Sequence, residues 1–280
     1  VIERSFSRKP KNEKGEFRAY IDFYEKMTVY AGQLVVHAMV LEPEATAKTF
    51  KVITDVDENS AFTYVDTLSS RAEIVNMVEK LNGERVGIVG LGGTGAYVLD
   101  LVSKCPIKEI RLFDGDQFLQ HNAFRSPGAA SMSELEEKQK KVEYFAQLYS
   151  HMKRGISAHE VYLTKDCLEL LDGLTFVFLC IDRASSKKAI VDHLLQTGIP
   201  FIDVGMGLVC EDQRILGQVR TTLVAPEFSQ HVSNMISFSE GNDDDVYSTN
   251  IQIAELNALN AAFAVIRWKQ FRGFYLDLER

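Results

Sequence analysis

The residues able to do chemistry fall into three short stretches, each at the end of an apolar run, and one lysine-rich helix. The first is "VGIVGLGGTGAYVLDL", where Gly90, Gly92 and Gly95 fit GxGxxG and Gly93 adds a fourth glycine. Glycine permits a tight turn and close backbone approach, and the following helix presents free N–H groups and a positive dipole end to phosphate. The same turn also suits a helix and strand that merely pack closely. The second stretch, "LFDGDQFLQHNAFR", places Asp114 at a strand end, about where an acidic residue binds ribose hydroxyls. Up to that point a hydride-transferring dehydrogenase fits equally well. Asn122 and Arg125, three residues apart, project from one side of a turn or short helix and bring a guanidinium beside the phosphates. Lys141, in "KQKKVEYFAQLY", supplies a second cation, while Lys138 and Lys140 read as an ordinary exposed face. A nicotinamide site lets helix amides carry most of the pyrophosphate charge; a triphosphate about to be cleaved calls for added cations. The third stretch, "FLCID", sets Asp182 at the C-terminal end of a buried strand. There it can hold Mg²⁺ bridging phosphate oxygens. It can also cap the helix "SSKKAIVDHLL", a role open equally to Ser185 or Ser186.

The elements that must position these residues alternate regularly from Glu84: strand "RVGIVG", helix "GAYVLDLVSK", strand "EIRLFDGD", helix "ELEEKQKKVEYFAQLYSHM" and strand "SAHEVYL". A short helix, strand "TFVFLCID", helix "SSKKAIVDHLLQTG" and strand "PFIDVG" follow. Continuous apolar strands alternating with helices predict an α/β, doubly wound, mostly parallel Rossmann-like sheet covered on both faces. "LVCEDQRILGQVRTTLV" holds two strand-like runs around a polar break, an antiparallel hairpin added to that sheet. A polar, acidic crossover loop is expected over about 225–248, and the helix "NIQIAELNALNAAFAVIRWKQF" after it is either fully buried or half of a helix-packed dimer interface.

Before the glycine strand, "SRKPKNEKGE" reads as a solvated linker, and the short apolar stretches up to about Tyr64 suggest a small α+β appendage. "SSRAEIVNMVEKLNGE" predicts one helix, capped by serine and stopped at Gly83. The expected domains are therefore 1–68, the appendage, and 69–280, the sheet domain. No internal repeat is present.

Composition excludes several classes. At 280 residues and 46% hydrophobic content the chain can bury a full core. The net charge of -8 argues against a general nucleic-acid-binding surface, which needs a basic field. The best apolar run, "QLVVHAMVL", is far shorter than the roughly 20 residues that span a bilayer, and no signal-peptide pattern opens the chain. It begins at Val1 rather than Met and reads as a piece of something longer. Cys105, Cys167, Cys180 and Cys210 include no CxxC pair, so neither a paired-cysteine zinc site nor a disulfide framework is expected. A cytoplasmic protein without membrane or nucleic-acid partners is the expectation.

Taken together, "VGIVGLGGTG", "LFDGDQFLQHNAFR", "KKVEYFA" and "FLCID" resemble the ThiF/MoeB/HesA family, whose adenylation domain is shared with ubiquitin-activating enzymes. The resemblance covers roughly Ser69 to the C-terminus. It implies ribose binding by Asp114, phosphate contacts from Asn122, Arg125 and Lys141, and Mg²⁺ at Asp182. It further implies a homodimer in which Arg71, ahead of the glycine strand, reaches the partner's ATP; a plain surface arginine fits that position too. Two departures stand out. The family's two CxxC pairs for zinc are missing, and 225–248 contains no cysteine for a thioester. Cys180 reads as a core thiol, and neither Cys167 nor Cys210 has neighbours that would activate it.

The resemblance therefore predicts an ATP- and Mg²⁺-dependent adenylyltransferase acting on the C-terminal glycine of a ubiquitin-like or sulfur-carrier protein, with thioester transfer unsupported. The alternatives are adenylation of a small molecule or modified tRNA nucleoside, a non-catalytic nucleotide-binding partner subunit, and a Rossmann oxidoreductase.

Overall fold

The structure is a computed structural model, and it describes residues 8–48, 57–182, 184–236, 238 and 252–277. The chain divides into two compact units, Val1–Ile53 and Thr54–Arg280. In the first, the described residues form one long helix, α1 (Phe23–Leu41), capped by Asp22, whose carboxylate accepts the Glu25 N–H at 2.7 Å. Arg18 pairs with Glu25 ahead of it. The predicted strand "KTFKVITDV" lies mostly outside the described residues, so the α+β character of the appendage rests on α1 and an isolated Lys11–Phe17 bridge alone.

The second unit opens with α2 (Thr67–Arg71), α3 (Val75–Val78) and a 3-10 turn, Glu79–Leu81. One helix was expected here. It breaks because Glu73 adopts a left-handed backbone, φ 58°, which no helix can run through. The sheet then builds as β1 (Arg85–Val89), α4 (Gly93–Ser103), β2 (Glu109–Phe113), α5 (Gln120–Ala123), α6 (Met132–Glu136), α7 (Lys141–Ser150) and β3 (Ile156–His159). A second expected helix is likewise divided, into α6 and α7, by Lys138 at φ 49°. A 3-10 stretch (Lys165–Leu171), β4 (Phe176–Leu179), α8 (Ala184–Thr197), β5 (Phe201–Glu211), β6 (Arg214–Val224), α9 (Val232–Met235) and α10 (Ala254–Phe271) complete the unit.

The strand order is β3-β2-β1-β4-β5-β6, parallel except for the β5–β6 pair. The hairpin is longer than expected, since β5 runs unbroken from "PFIDVG" through Glu211 and turns at Asp212 and Gln213, both at positive φ. Alternation sorts the sheet into two faces. Val86, Ile88, Ile110, Leu112, Phe176 and Phe178 pack under α4, α7 and α10, with Trp268 fully buried among them. Val89, Phe113, Val177, Leu179 and Phe201 pack under α8 through Ile190, Val191 and Leu194. Helices on both faces make the fold doubly wound.

α10 is neither fully buried nor apolar all round in its contacts. Asn257, Asn260, Ala261, Ala264, Val265 and Trp268 face the core, while Leu259, Phe263 and Ile266 stand partly exposed on the far side. Most of the predicted crossover loop, including "EGNDDD", lies outside the described residues; its described beginning turns at Ala225–Phe228 and forms α9. Among the described residues no helix is long and apolar enough to cross a membrane.

Candidate active site at the sheet's switch point

The order in which strands are added reverses between β1, which leads outward to β2, and the parallel β4, which leads outward to β5 on the other side. A crevice opens beyond the C-terminal ends of strands at such a point, because the loops leaving the two strands diverge to opposite faces. A cleft of about 340 Å³ lies there, within the range of small-ligand sites, about 300–1,000 Å³. Gly90, Gly92, Gly93, Asp114, Arg125, Lys141 and Asp182 all line it. Gly95, Asn122 and Arg71 do not.

Each glycine has a different task. Gly90 sits at φ 88°, and a Cβ there would come 2.6 Å from the Cys180 carbonyl oxygen, so the turn out of β1 demands glycine twice over. A Cβ on Gly95 would collide with the Gly90 carbonyl, which makes Gly95 a packing residue between helix and loop. Gly93 is crowded instead by the side chain of Asn257 on α10. Gly92, the N-cap of α4, lines the cleft and has no side chain of its own to cap the helix.

Asp114 follows β2 and is buried. Its Oδ2 accepts the Leu91 N–H at 2.7 Å and its Oδ1 the Asp116 N–H at 2.8 Å. Lys141, first residue of α7 and also buried, sets Nζ 3.7 Å from Asp114 Oδ2 and 2.7 Å from Asp116 Oδ2. Tyr162 donates its hydroxyl to the other oxygen of Asp116. Asn122 lies beneath this layer: its Oδ1 accepts the Leu119 N–H at 2.9 Å and shapes the turn that presents Arg125. Both Asn122 Nδ2 and Arg125 Nε are buried without a hydrogen-bond partner among the described residues. Buried donors without acceptors are costly, and of the two only Arg125 lines the cleft, where an anionic ligand would meet its guanidinium.

Asp182 faces this group across the cleft, after β4. Among the described residues no group of three or more His, Cys, Asp or Glu is placed to hold a metal ion. A single aspartate nevertheless suits Mg²⁺, which commonly binds one or two carboxylates and completes its shell with phosphate oxygens and water.

Several residues in or beside the cleft escaped the sequence reading: Gln252 and Asn260 line it, and Asn257 lies behind the glycine loop. Asn257 Oδ1 accepts the Thr94 hydroxyl at 2.9 Å, and Gln252 Oε1 accepts the Gly93 N–H at 3.3 Å. Asn260 Nδ2 donates to the Gly205 carbonyl at 3.0 Å. These polar residues in and before an alanine-rich helix are the signal that was available: a helix buried on one face has no reason to carry two asparagines there unless they bond something. Lys187 lines the cleft as well, its Nζ 2.8 Å from Asp203 Oδ1. Cys180 lies on the floor, and burial pushes its thiol far above the usual range, with the Asp203 charge adding to the shift. It stays protonated and makes a poor nucleophile.

Residues 66–263 match the ThiF family. The chain belongs to the ThiF family. Residues 1–67 match a domain of unknown function, DUF6791. The chain is similar to ubiquitin-like modifier-activating enzyme 5 of Drosophila ananassae, 23% identical over 52% of this chain and 40% of that enzyme. It is similar also to the Culex quinquefasciatus enzyme of the same name, 28% identical over 51% of this chain and 38% of that one. The matched segment thus spans less than half the length of these relatives. Among solved structures, E. coli MccB with ATP shares the fold at TM-score 0.58 and 17% identity, covering 76% of this chain and 66% of that one. PaaA shares it at 0.57 and 14% identity, covering 90% and 87%. The Rossmann-like sheet with its antiparallel extension is therefore the fold of this ThiF-family chain.

Proposed function

We propose that this cleft binds ATP and transfers AMP to a carboxylate, releasing pyrophosphate, with the C-terminal glycine of a ubiquitin-like or sulfur-carrier protein as acceptor. The observation that carries the reading is the convergence of Arg125 and Lys141 on the glycine loop, with Asp182 opposite. A hydride-carrier site has no need of two side-chain cations and a metal-suited carboxylate beside the phosphates. Membership of the ThiF family and similarity to ubiquitin-like modifier-activating enzymes support the acceptor class.

In this reading Asp114 receives the ribose hydroxyls and the α4 N-terminus the phosphates. A carboxylate acceptor is already ionised near neutral pH, so no general base is required. Arg125 and Lys141 hold and neutralise the departing pyrophosphate, and Asn122 fixes the turn that aims Arg125. Mg²⁺, held by Asp182 and phosphate oxygens, would neutralise charge on the triphosphate. Arg71 on α2 would complete the site of a second copy in a homodimer. A thioester step has no nucleophile in Cys180.

Incubation with α-labelled ATP, Mg²⁺ and a panel of ubiquitin-like and sulfur-carrier proteins ending in glycine tests the reaction. Label passing to a matching carrier as its acyl-adenylate, with pyrophosphate released, supports it; ADP and phosphate, or tight binding of NADH in preference to ATP, contradict it.

A further inference from the structure

We propose that Lys187, seated on the fully buried Asp203, is the residue that grips the incoming acceptor carboxylate. The inference rests on the adenylation reading and adds to it the side of entry and the contact that meets the acceptor.

The topology fixes the direction. Asp114, Arg125 and Lys141 all follow β2, on one flank of the glycine loop. The opposite flank, one and two strands away at about 4.8 Å per strand, belongs to β4 and β5 and presents Asp182, Ser186, Lys187, Gly205 and Met206. Displacement at the α-phosphorus is in line: the attacking oxygen and the leaving pyrophosphate lie on opposite sides. With the leaving group drawn toward Arg125 and Lys141, the acceptor arrives from the β4–β5 flank.

That flank carries a built cation. Asp203 is 0% exposed and touches two cations: Lys187 Nζ at 2.8 Å from Oδ1, and Arg220 Nη2 at 2.7 Å from Oδ2. Asp203 is shared between two cations, so Lys187 is not bound to it alone, and of the two only Lys187 reaches the cleft. An ammonium has three N–H donors, so a contact with Asp203 leaves two for a ligand. Arg220 is itself anchored, donating to Thr222 Oγ1 at 2.9 Å and to the Met235 carbonyl. Asp203 is thus a positioning residue, linking the cleft through Arg220 to the end of α9. Gly205 belongs to the same arrangement, because a Cβ there would come 2.9 Å from the Arg220 guanidinium.

In the step itself, one carboxylate oxygen of the acceptor forms the new bond to the α-phosphorus as the bond to the pyrophosphate oxygen breaks, and the electron pair leaves with pyrophosphate. Lys187 donates to the other oxygen, which becomes the carbonyl oxygen of the acyl-adenylate. No oxidant, reductant or proton acceptor is consumed.

The test uses the whole chain and three probes: ATP, sulfamoyladenosine, and N-acetylglycyl-sulfamoyladenosine, a stable mimic of the acyl-adenylate. The wild-type protein is expected to bind the acyl mimic more tightly than sulfamoyladenosine. Lys187→Met should remove roughly tenfold to a hundredfold of that acyl-dependent gain, as expected for one charge-assisted hydrogen bond, with ATP affinity within about twofold. Lys187→Arg should restore most of the gain. Asp203→Asn should lose it in parallel, a pattern that general unfolding would not give because ATP binding persists. A full acyl gain in Lys187→Met, or none in the wild type that binds ATP, overturns the assignment of Lys187. Failure of the wild type to bind ATP overturns the adenylation reading instead.

Discussion

The Asp114 carboxylate accepts the Leu91 N–H at 2.7 Å, so the residue expected to bind ribose also holds the glycine loop in place. Its other oxygen accepts the Asp116 N–H at 2.8 Å. Asp114→Ala therefore removes acceptors from two backbone donors and is expected to cost about 2–4 kcal/mol of stability as well as nucleotide affinity. Asp114→Asn keeps one acceptor oxygen and should cost less than half of that. Urea unfolding alongside ATP titration separates the two effects; equal stability of both variants and the parent would refute the structural role.

Arg125 and Lys141 differ in what surrounds them. Lys141 is buried against Asp114 and Asp116, so Lys141→Ala leaves two carboxylates without their counter-charge and should lower stability and activity together. Arg125, whose buried Nε has no protein partner among the described residues, should lose activity with little loss of stability on Arg125→Ala. Loss of one such transition-state contact is worth about 3 kcal/mol, or roughly a hundredfold in rate. Melting temperatures and turnover of the two variants, measured side by side, check this contrast.

At Gly90 the backbone and the neighbouring chain both exclude a side chain. Gly90→Ala forces an L-residue to φ 88° and sets its Cβ 2.6 Å from the Cys180 carbonyl oxygen. The conformational term alone costs about 1–2 kcal/mol, and the displaced loop should weaken ATP binding by tenfold or more. Gly128, also at φ 88° but with nothing within 4 Å of a Cβ, is the control: Gly128→Ala should show the conformational cost without the binding defect.

The succession of strands along the chain and the placing of the cleft at their C-terminal ends were legible in the sequence, because the buried strands read as apolar runs that meet glycine or aspartate. Helix continuity was not. Periodicity carries straight through Glu73 and Lys138, and only the folded backbone shows both in a left-handed conformation that ends one helix and starts another. Asp114, Arg125, Lys141 and Asp182 were recognisable as residues of the cleft because they follow strand ends or start a helix at the edge of the sheet where a crevice opens. Asp203 escaped notice because it sits inside the run "PFIDVG", where a charge is tolerated only when partners as distant as Lys187 and Arg220 reach it. Asn122 shows the converse: its type and spacing drew attention, and its place is beneath the cleft, supporting the turn.

Away from the cleft, Lys153 is buried with Nζ donating to the carbonyls of Ala61, at 3.1 Å, and Ile107. Burial pulls its ammonium down from the usual 10.5 to about 8. The unfolded chain then binds more protons than the folded one between those values, so this group makes stability rise from pH 8 to 10.5. A shift of that size is worth about 3 kcal/mol. Chemical denaturation of wild type and Lys153→Met across this range should show the rise in the former and a flatter profile in the latter; identical slopes would contradict it.

The central claim, attack of a carboxylate on the α-phosphate of ATP, is tested most directly by ATP–pyrophosphate exchange with labelled pyrophosphate and Mg²⁺, across carriers ending in glycine. The account predicts label entering ATP only in the presence of a matching carrier, and exchange reduced about a hundredfold in Arg125→Ala. Exchange that is absent with every carrier while ATP still binds, or that proceeds undiminished in Arg125→Ala, would contradict it.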